Sequence, residues 1–314
     1  MAEQHVAWLF PGQGAQQVGM GRDLFNGCVP ARTIFETANS TLGYPLSDLC
    51  FQGPPEQLQE TQHAQPAIFT VSLACLEAAR DLGGLPSTPP DFIAGHSLGE
   101  FTALVAAGTL DFEAGLRLVA ERGRLMQQAA SAHAGAMAAL LGLDEESVAA
   151  ICEETGAELC NVNAASQIVI GGSPENVEAA MRLALERGAQ RGVRLKVSGA
   201  FHTTHMAQAA GELARAVGES PLRDPQRPII ANTTAQPLTT AAQLREELVH
   251  QLTRPVRWLQ TMQYLQAQHI TAVIEFGPGR VLTGLARRID RSLATRNVSD
   301  LAGARSATTA PAPP

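Results

Sequence analysis

Residues 92–107 read FIAGHSLGEFTALVAA, where a short apolar run and a helical pattern are joined by a glycine-rich turn. The run from Phe92 to Ala94 predicts a buried strand, and Glu100 to Ala107 predicts the helix that leaves it. The letters between them match G-x-S-x-G, in which a serine occupies a sharp strand-to-helix turn and glycines leave room for crowded backbone. The stretch therefore predicts an α/β fold with Ser97 exposed at a helix N-terminus.

A second glycine loop lies near the start of the chain. His5 to Phe10 is an apolar run that stops at Pro11-Gly12-Gln13-Gly14, which is typical of a buried strand ending in a tight turn. An apolar helix is predicted from about Gln65 to Ala79, and a last strand from Ala272 to Glu275. Both ends of the chain therefore contribute to one large α/β domain.

In the middle of the chain the predicted order of elements is strand, helix, strand, strand, helix, strand. This βαββαβ order is that of a ferredoxin-like unit, and Ser173-Pro174 fits an N-cap followed by proline at the first helical position. The predicted elements are Ala136 to Leu141, Asp144 to Glu154, Leu159 to Ala164, Gln167 to Gly171, Ser173 to Arg187 and Arg191 to Val197.

These elements predict a discontinuous large domain with a small one inserted into it. We expect an α/β-hydrolase-like large domain with a parallel sheet, formed by residues 1–132 and 199–298. A ferredoxin-like α+β subdomain is expected at 133–198. From about Ser299 the sequence turns to Ala, Thr and Pro, so 299–314 is expected to be a disordered tail.

Composition narrows the classes of function. The 314 residues are 45% hydrophobic with a formal net charge of -7, which argues against a general binder of nucleic acid or membrane surfaces. The five cysteines contain no CxxC pair, so buried free thiols are expected. Met1 to Phe10 lacks the features of a signal peptide, and no window approaches a transmembrane span. We expect a cytoplasmic monomer.

Ser97 needs a base, because a serine hydroxyl is a weak nucleophile at neutral pH. Of eight histidines, two lie in the glycine-containing segment Gly199 to His205, at the predicted domain junction. Spacing alone does not choose between His202 and His205. The side chain of His96 should leave the elbow in another direction. The histidines with nothing to set them apart are His5, His63, His133, His250 and His269.

The third member of a hydrolase triad is missing from the pattern. No aspartate between Ser97 and His202 presents itself in the chain order Ser, Asp, His. This disfavours a lipase or esterase and indicates that a backbone carbonyl or an amide side chain holds the imidazole.

Arg122 is a cation in an apolar row. The helix predicted from about Asp111 to Ala130 separates apolar and polar residues onto faces, with Arg117 and Arg124 on the polar one. A buried guanidinium is costly unless it meets an anion, and its planar fork suits a carboxylate. That carboxylate belongs either to a ligand or to a structural Asp or Glu. The apolar neighbours of Arg122 are Leu118, Leu125 and Ala129.

Several motifs together resemble the malonyl-CoA:acyl carrier protein transacylases, a family that includes the acyltransferase domains of polyketide synthases. The resemblance is ordered and spans about Val6 to Leu293. It rests on PGQG at 11–14, AQPA at 64–67, GHSLGE at 95–100, RG at 122–123, NVNAASQIVIGG at 161–172, GAFH at 199–202 and GPGRVLTGL at 277–285.

The resemblance implies a role for each matched residue. Ser97 is the nucleophile, His202 the general base, and the backbone amides of Gln13 and Leu98 the oxyanion hole. A main-chain carbonyl near Gln251, ahead of the PVRW motif, orients the histidine.

The resemblance also implies the substrate class. Arg122 would hold the malonyl carboxylate, and Phe201 would favour malonyl over α-branched units. His96 and Asn163 are expected in the substrate pocket, although Ala165 replaces the proline usual in the family. Gly199 departs from the synthase-embedded pattern, which favours a free-standing enzyme.

The implied reaction is ping-pong transfer of malonyl from malonyl-CoA to the phosphopantetheine thiol of an acyl carrier protein, in fatty acid or polyketide synthesis. No metal or bound cofactor is expected. Alternatives are an acyl hydrolase of the same fold, an idle docking module and an acyltransferase for another extender unit. The candidates for docking an acidic carrier are Arg280, Arg287, Arg288 and Arg291.

Overall fold

The computed structural model describes residues 5–86, 88–197 and 199–306. The strands are β1 (Val6–Phe10), β2 (Phe92–Gly95), β3 (Ala136–Leu141), β4 (Glu158–Ala164), β5 (Gln167–Gly172), β6 (Arg191–Arg194), β7 (Ile229–Ile230), β8 (Pro237–Leu238), β9 (Ala272–Phe276) and β10 (Ala294–Val298).

Helices surround both sheets and join most of the strands. They are α1 (Arg22–Gly27), α2 (Val29–Leu42), α3 (Leu46–Gln52), α4 (Pro55–Gln59), α5 (Thr61–Asp81), α6 (Leu98–Ala106), α7 (Phe112–Ala132), α8 (Glu145–Thr155), α9 (Pro174–Glu186), α10 (Ala207–Glu219), α11 (Ala241–His250), α12 (Trp258–Ala267), α13 (Val281–Ile289) and α14 (Leu301–Arg305).

The larger sheet has the strand order β10-β9-β1-β2-β7-β8 and is parallel except for β8. Its centre, β1, has the sequence VAWLF, and no residue of it is more than 6% exposed. A strand buried on both faces reads as a continuous apolar run, which is the signal that the sequence carries. Since the carboxyl ends of parallel strands meet at one edge, the loop after β1 and the turn after β2 lie together.

The turn after β2 is the elbow predicted from GHSLG. Ser97 has φ 51° and ψ -104°, a backbone conformation outside the usual regions for a residue with a side chain. A Cβ at Gly95 would lie 1.9 Å from the carbonyl carbon of Gly99, and a Cβ at Gly99 would lie 2.0 Å from the oxygen of Phe10. Only glycine fits these two positions, and α6 starts directly after the serine, two residues earlier than expected.

The second sheet has the strand order β4-β5-β3-β6, with every pair antiparallel. This is the ferredoxin-like order that the βαββαβ pattern predicts. One face packs on α8 and α9 through residues such as Ala138, Ile168 and Val177. On the opposite face, Met137 and Val169 belong to the main core of the large domain.

The start of α5 differs from the prediction. The helix begins at Thr61 rather than near Gln65, so Pro66 lies inside it. The N–H of Thr61 donates to Oε1 of Gln127 on α7 at 3.1 Å. A contact between residues far apart in sequence therefore stabilises the first turn, which local propensity does not reveal.

The prediction that residues 299–314 form a disordered tail is wrong for its first part, and β9 is not the last strand. The strand β10 pairs in parallel with β9, and α14 follows it. Asp300 caps α14 by accepting from the N–H of Gly303 at 2.6 Å, and Ala304 is fully buried. Short elements with mixed polarity give a weak periodic signal, because the larger sheet covers only one side of them. Residues 307–314 lie outside the described part.

Two further features follow the composition. Within the described ranges, no helix has the length and apolar character needed to cross a bilayer. All five cysteines are buried and free of disulfides, as predicted. They are Cys28, Cys50, Cys75, Cys152 and Cys160.

Candidate active site

A cavity of about 370 Å³ lies where the elbow and the loop after β1 face the antiparallel sheet. Its lining includes Gln13, Ser97, Arg122, Phe201 and His202. A larger groove of about 770 Å³ beside α7 and α10 contains none of the motif residues. The structure therefore brings these residues from four separate stretches of sequence into one concave site.

Ser97 and His202 form a hydrogen-bonded pair. Nε2 of His202 lies 2.7 Å from Oγ of Ser97, and Nδ1 lies 2.8 Å from the carbonyl oxygen of Gln251. A carbonyl only accepts, so Nδ1 carries the proton and Nε2 accepts from the serine hydroxyl. The Gln251 carbonyl holds the imidazole in the position that an aspartate has in hydrolase triads.

The geometry separates the two histidines that spacing left open. His205 is partly buried in a 3₁₀ turn, Thr204–Met206, and lines a different cavity with His133. His202 has φ 63°, a strained conformation for a residue with a side chain. That conformation turns its imidazole toward Ser97, and it is invisible in the local sequence.

Burial sets the protonation state of His202. Its side chain is inside the protein, and desolvation, together with the charge of Arg122, lowers the pKa of His202 to about 3 from its ordinary value of 6.5. The imidazole is therefore neutral at physiological pH. A neutral imidazole with a free Nε2 lone pair is the form that accepts a proton.

This shift predicts an unusual pH dependence. Since the basic form persists as the pH falls through 6.5, we expect kcat/KM to stay flat there and to decline only in more acidic solution. Replacing Arg122 with glutamine removes a charge that lowers the pKa of His202, so the acid limb should move upward. Rates with acetyl-CoA, which lacks a carboxylate, measure both profiles. An acid limb centred near 6.5 in the wild type would contradict the assignment.

Arg122 is 1% exposed and lies beside the nucleophile. Its Nη2 donates to Oγ of Ser97 at 3.0 Å and to Oε1 of Gln251 at 2.8 Å, and its Nη1 donates to Oε1 of Gln65 at 2.6 Å. Its guanidinium carbon lies 5.0 Å from the ring centre of Phe101. Among the described residues, no Asp or Glu lies within ion-pair distance of it.

The charge of Arg122 is thus held by neutral groups. Burial lowers the pKa of Arg122 to about 9, which still leaves the guanidinium protonated at neutral pH. Its Nε is buried without a hydrogen-bond partner in the described part of the chain. A buried cation with an unused donor has the chemistry to bind an anion, and the structural carboxylate considered from the sequence is not its direct partner.

Glu100 is the nearest buried acid, and sequence reasoning missed it. Gln251 bridges it to Arg122, since Nε2 of Gln251 donates to Oε2 of Glu100 at 2.6 Å while Oε1 accepts from the guanidinium. Burial and then the neighbouring Glu247 raise the pKa of Glu100 well above its ordinary value. Glu100 therefore acts on Arg122 through Gln251 and makes no direct contact with the guanidinium.

Asn232 holds the elbow, and no sequence signal pointed to it. Its Oδ1 accepts from the N–H of Ser97 at 2.6 Å, and its Nδ2 donates to the carbonyl of Gly95 at 2.7 Å. Its own N–H donates to Oε1 of Glu100 at 3.1 Å. A residue so distant in sequence from Ser97 is connected to it only by the fold.

The residues expected to supply the oxyanion hole lie on both sides of Ser97. Leu98 is buried as the first residue of α6, where a backbone N–H has no acceptor within the helix. Gln13 lines the cavity, and its Nε2 donates to Oγ1 of Thr61 at 3.0 Å, which ties its loop to α5. The positive end of the helix and this loop therefore face the space beside Ser97.

The three residues expected in the substrate pocket occupy different depths. Phe201 and His96 line the cavity, whereas Asn163 is buried behind His96. Nε2 of His96 donates to Oδ1 of Asn163 at 2.8 Å, across the junction between the elbow and β4. The His96 ring also packs on Trp258, with centroids 5.5 Å apart. Asn163 therefore contacts the cavity only through His96.

A serine and a neutral histidine at a strand-to-helix elbow, beside free backbone donors, define an acyl-transfer site in an α/β protein. The chain belongs to the acyl transferase domain family, whose model matches residues 7–310.

Two kinds of relatives support this membership. The malonyl CoA-acyl carrier protein transacylase of Bacillus subtilis strain 168 is 43% identical over 300 residues, which cover 94% of this chain and 93% of that protein. The transacylase structure from Coxiella burnetii has a TM-score of 0.92 and 38% identity, and covers 96% of both chains. A second solved structure is a type II polyketide synthase acyl carrier protein in complex with its malonyl-transacylase. The matched chain has a TM-score of 0.93 and 39% identity, and the match covers 97% of this chain and 99% of that one.

Proposed function

We propose that this chain transfers a malonyl group from malonyl-CoA to the phosphopantetheine thiol of an acyl carrier protein, through a malonyl ester of Ser97. One observation supports this most strongly. The Ser97 Oγ lies within hydrogen-bond distance of both a neutral imidazole, at 2.7 Å, and a buried guanidinium, at 3.0 Å. A base and a carboxylate-binding cation at the same hydroxyl fit an acyl group that carries its own carboxylate.

The first half-reaction forms the ester. His202 accepts the hydroxyl proton at Nε2 while Oγ of Ser97 attacks the thioester carbonyl. The carbonyl oxygen becomes an oxyanion, which the N–H groups of Leu98 and Gln13 stabilise. The C–S bond breaks, the proton passes from Nε2 to the thiolate, and coenzyme A leaves as the free thiol.

The second half-reaction reverses these steps with a different thiol. The carrier's phosphopantetheine thiol gives its proton to Nε2 of His202 and attacks the ester carbonyl. The C–O bond to Ser97 breaks, and the imidazole returns its proton to the serine oxygen. No net proton is gained or lost, so the enzyme ends as it began.

Arg122 and Phe201 support the malonyl assignment over other acyl groups. The malonyl carboxylate is separated from its carbonyl carbon by a single methylene, so an ester on Ser97 keeps it close to the guanidinium. An acetyl group would leave that buried charge without an anion. The ring of Phe201, 6% exposed in the cavity wall, limits the space for an α-branch.

The relatives support the same acceptor. The Bacillus subtilis relative is named for malonyl transfer to acyl carrier protein, and one solved neighbour is a complex of such an enzyme with its carrier. The site fits fatty acid or polyketide synthesis, since a carrier thiol is the acceptor in both.

Intact-protein mass spectrometry tests this function. After brief incubation with malonyl-CoA, we expect a malonyl adduct on the wild type and none on a Ser97→Ala variant. Acetyl-CoA, run alongside, should give little adduct. If no adduct forms and free malonate does not accumulate, malonyl transfer is the wrong function. Rapid release of malonate instead would favour the hydrolase.

Carrier docking gives a separate prediction for α13. Arg287 and Arg288 are exposed in its last turn, where Arg287 donates to Oγ1 of Thr295 at 2.6 Å and Arg288 to Gln167. Reversing both to glutamate should raise the KM for an acidic carrier about tenfold and leave the KM for malonyl-CoA unchanged. Arg182→Glu, on the exposed side of α9, is the control. Unchanged carrier kinetics would exclude this surface.

A further inference from the structure

Lys196 is the only lysine of this chain. The chain has 23 lysines and arginines in total, and all of the others are arginines. It follows β6 and lines the same cavity as Ser97. The single ammonium group of the protein, apart from its N-terminus, is therefore at the candidate active site.

The side chain of Lys196 is available to bind a ligand. It is exposed, and within the described ranges it makes no hydrogen bond or ion pair. The backbone beside it is fixed, because the N–H of Leu195 donates to the carbonyl of Met137 at 2.9 Å. Met137 itself lines the cavity. The ammonium is thus attached to a well-held segment at the solvent side of the cavity.

The surrounding sequence is positive although the protein is negative. Residues 187–211 contain no Asp or Glu, while the whole chain has a net charge of -7. Arg187 is paired with Glu154, but Arg191 and Arg194 form no ion pair among the described residues. Among the described cations of residues 187–211, Lys196 is the one that lines the cavity, and a cation without an ion-pair partner there attracts anions.

The chemistry of lysine indicates which anion fits. An ammonium group on a flexible stem binds phosphate as a point charge, whereas a planar guanidinium suits the bidentate geometry of a carboxylate. Arg122 is at the buried end of the cavity and Lys196 at its exposed end. A substrate with a carboxylate at one end and a phosphate at the other matches this arrangement.

We propose that Lys196 binds the phosphate at the far end of the pantetheine arm, in both substrates. In coenzyme A this is the pyrophosphate, and on the carrier it is the phosphodiester that joins the arm to the protein. The proposal rests on the proposed function, because both substrates reach Ser97 through a pantetheine arm. It makes Lys196 a binding residue that takes no part in proton transfer.

Donors with and without phosphate test the proposal. In Lys196→Gln we expect KM for malonyl-CoA to rise about five- to tenfold, with kcat within about twofold, because one charge-assisted contact is lost. With malonyl-pantetheine, which has no phosphate, variant and wild type should be equal. Lys196→Arg should recover most of the loss, and Arg194→Gln is the matched control. A second measurement gives the KM for the carrier protein as acceptor. It shows whether the phosphodiester of the carrier depends on Lys196 as the pyrophosphate of coenzyme A does.

A labelling measurement gives a readout independent of rates. Reductive methylation with ¹³C-formaldehyde keeps the charge and adds methyl signals only at Lys196 and the N-terminus. Coenzyme A should shift the Lys196 signal, and pantetheine should not.

The outcomes are distinct. An equal loss with malonyl-pantetheine, or an unchanged KM for both malonyl-CoA and the carrier, would overturn the role of Lys196. Failure of both malonyl-CoA and malonyl-pantetheine to acylate Ser97 in the wild type would instead refute the proposed function.

Discussion

Ser97→Ala and His202→Ala should each lower kcat/KM for malonyl transfer by about 10⁴- to 10⁶-fold. Their atoms share one proton path, since Oγ of Ser97 lies 2.7 Å from Nε2 of His202. Residues that act as a unit are not additive, so the double variant should be no slower than the slower single variant. Stopped-flow or radiochemical transfer assays, with the acyl-enzyme followed by mass spectrometry, measure all three.

His205→Ala is the matched control for this prediction. His205 lies three residues from His202 but in a different cavity, so its loss should change kcat/KM by less than about twofold. A large loss in His205→Ala together with an active His202→Ala would reverse the assignment of the base. Thermal melts of each variant separate loss of catalysis from loss of folding.

The second large effect concerns selectivity. Arg122→Gln should lower kcat/KM for malonyl-CoA by about 10²- to 10³-fold, because it removes charge-assisted hydrogen bonds to the carboxylate. Acetyl transfer should fall far less or rise, since the variant no longer leaves a buried cation unpaired. The ratio of the two rates, measured under competition, reports the selectivity directly.

Arg124→Gln tests whether the effect belongs to the site. Arg124 is on the same helix but exposed, paired with Glu121 at 2.6 Å, and surface ion pairs of this kind contribute little. We expect no change in selectivity. Equal losses for malonyl and acetyl donors in Arg122→Gln would indicate a structural role for the guanidinium. Arg122→Lys, which retains a charge, provides a second variant if glutamine disturbs folding.

Local patterns predicted most of the fold. The apolar run of β1, the GHSLG elbow and the βαββαβ unit are set by contacts within one element or between neighbouring ones. The start of α5 and the segment 299–306 were mispredicted because distant partners stabilise them. Thr61 depends on Gln127 of α7, and Asp300 caps a short helix whose Ala304 is buried against the core.

The residues of the candidate site likewise fall into those that the sequence predicted and those that only the structure revealed. The sequence by itself determined the elbow serine, a base among two nearby histidines, and a guanidinium on an apolar stripe, since each of these follows from residue type and periodicity. Residue type and spacing left His202 and His205 open, and the family resemblance named His202 and a carbonyl near Gln251. The tertiary structure supplies the distances that join these groups, and it alone revealed Asn232 and Glu100 beneath the elbow. The physical reason is that hydrogen bonds and burial depend on distances in space, and these residues are brought together from separate strands and helices by the closing of one hydrophobic core.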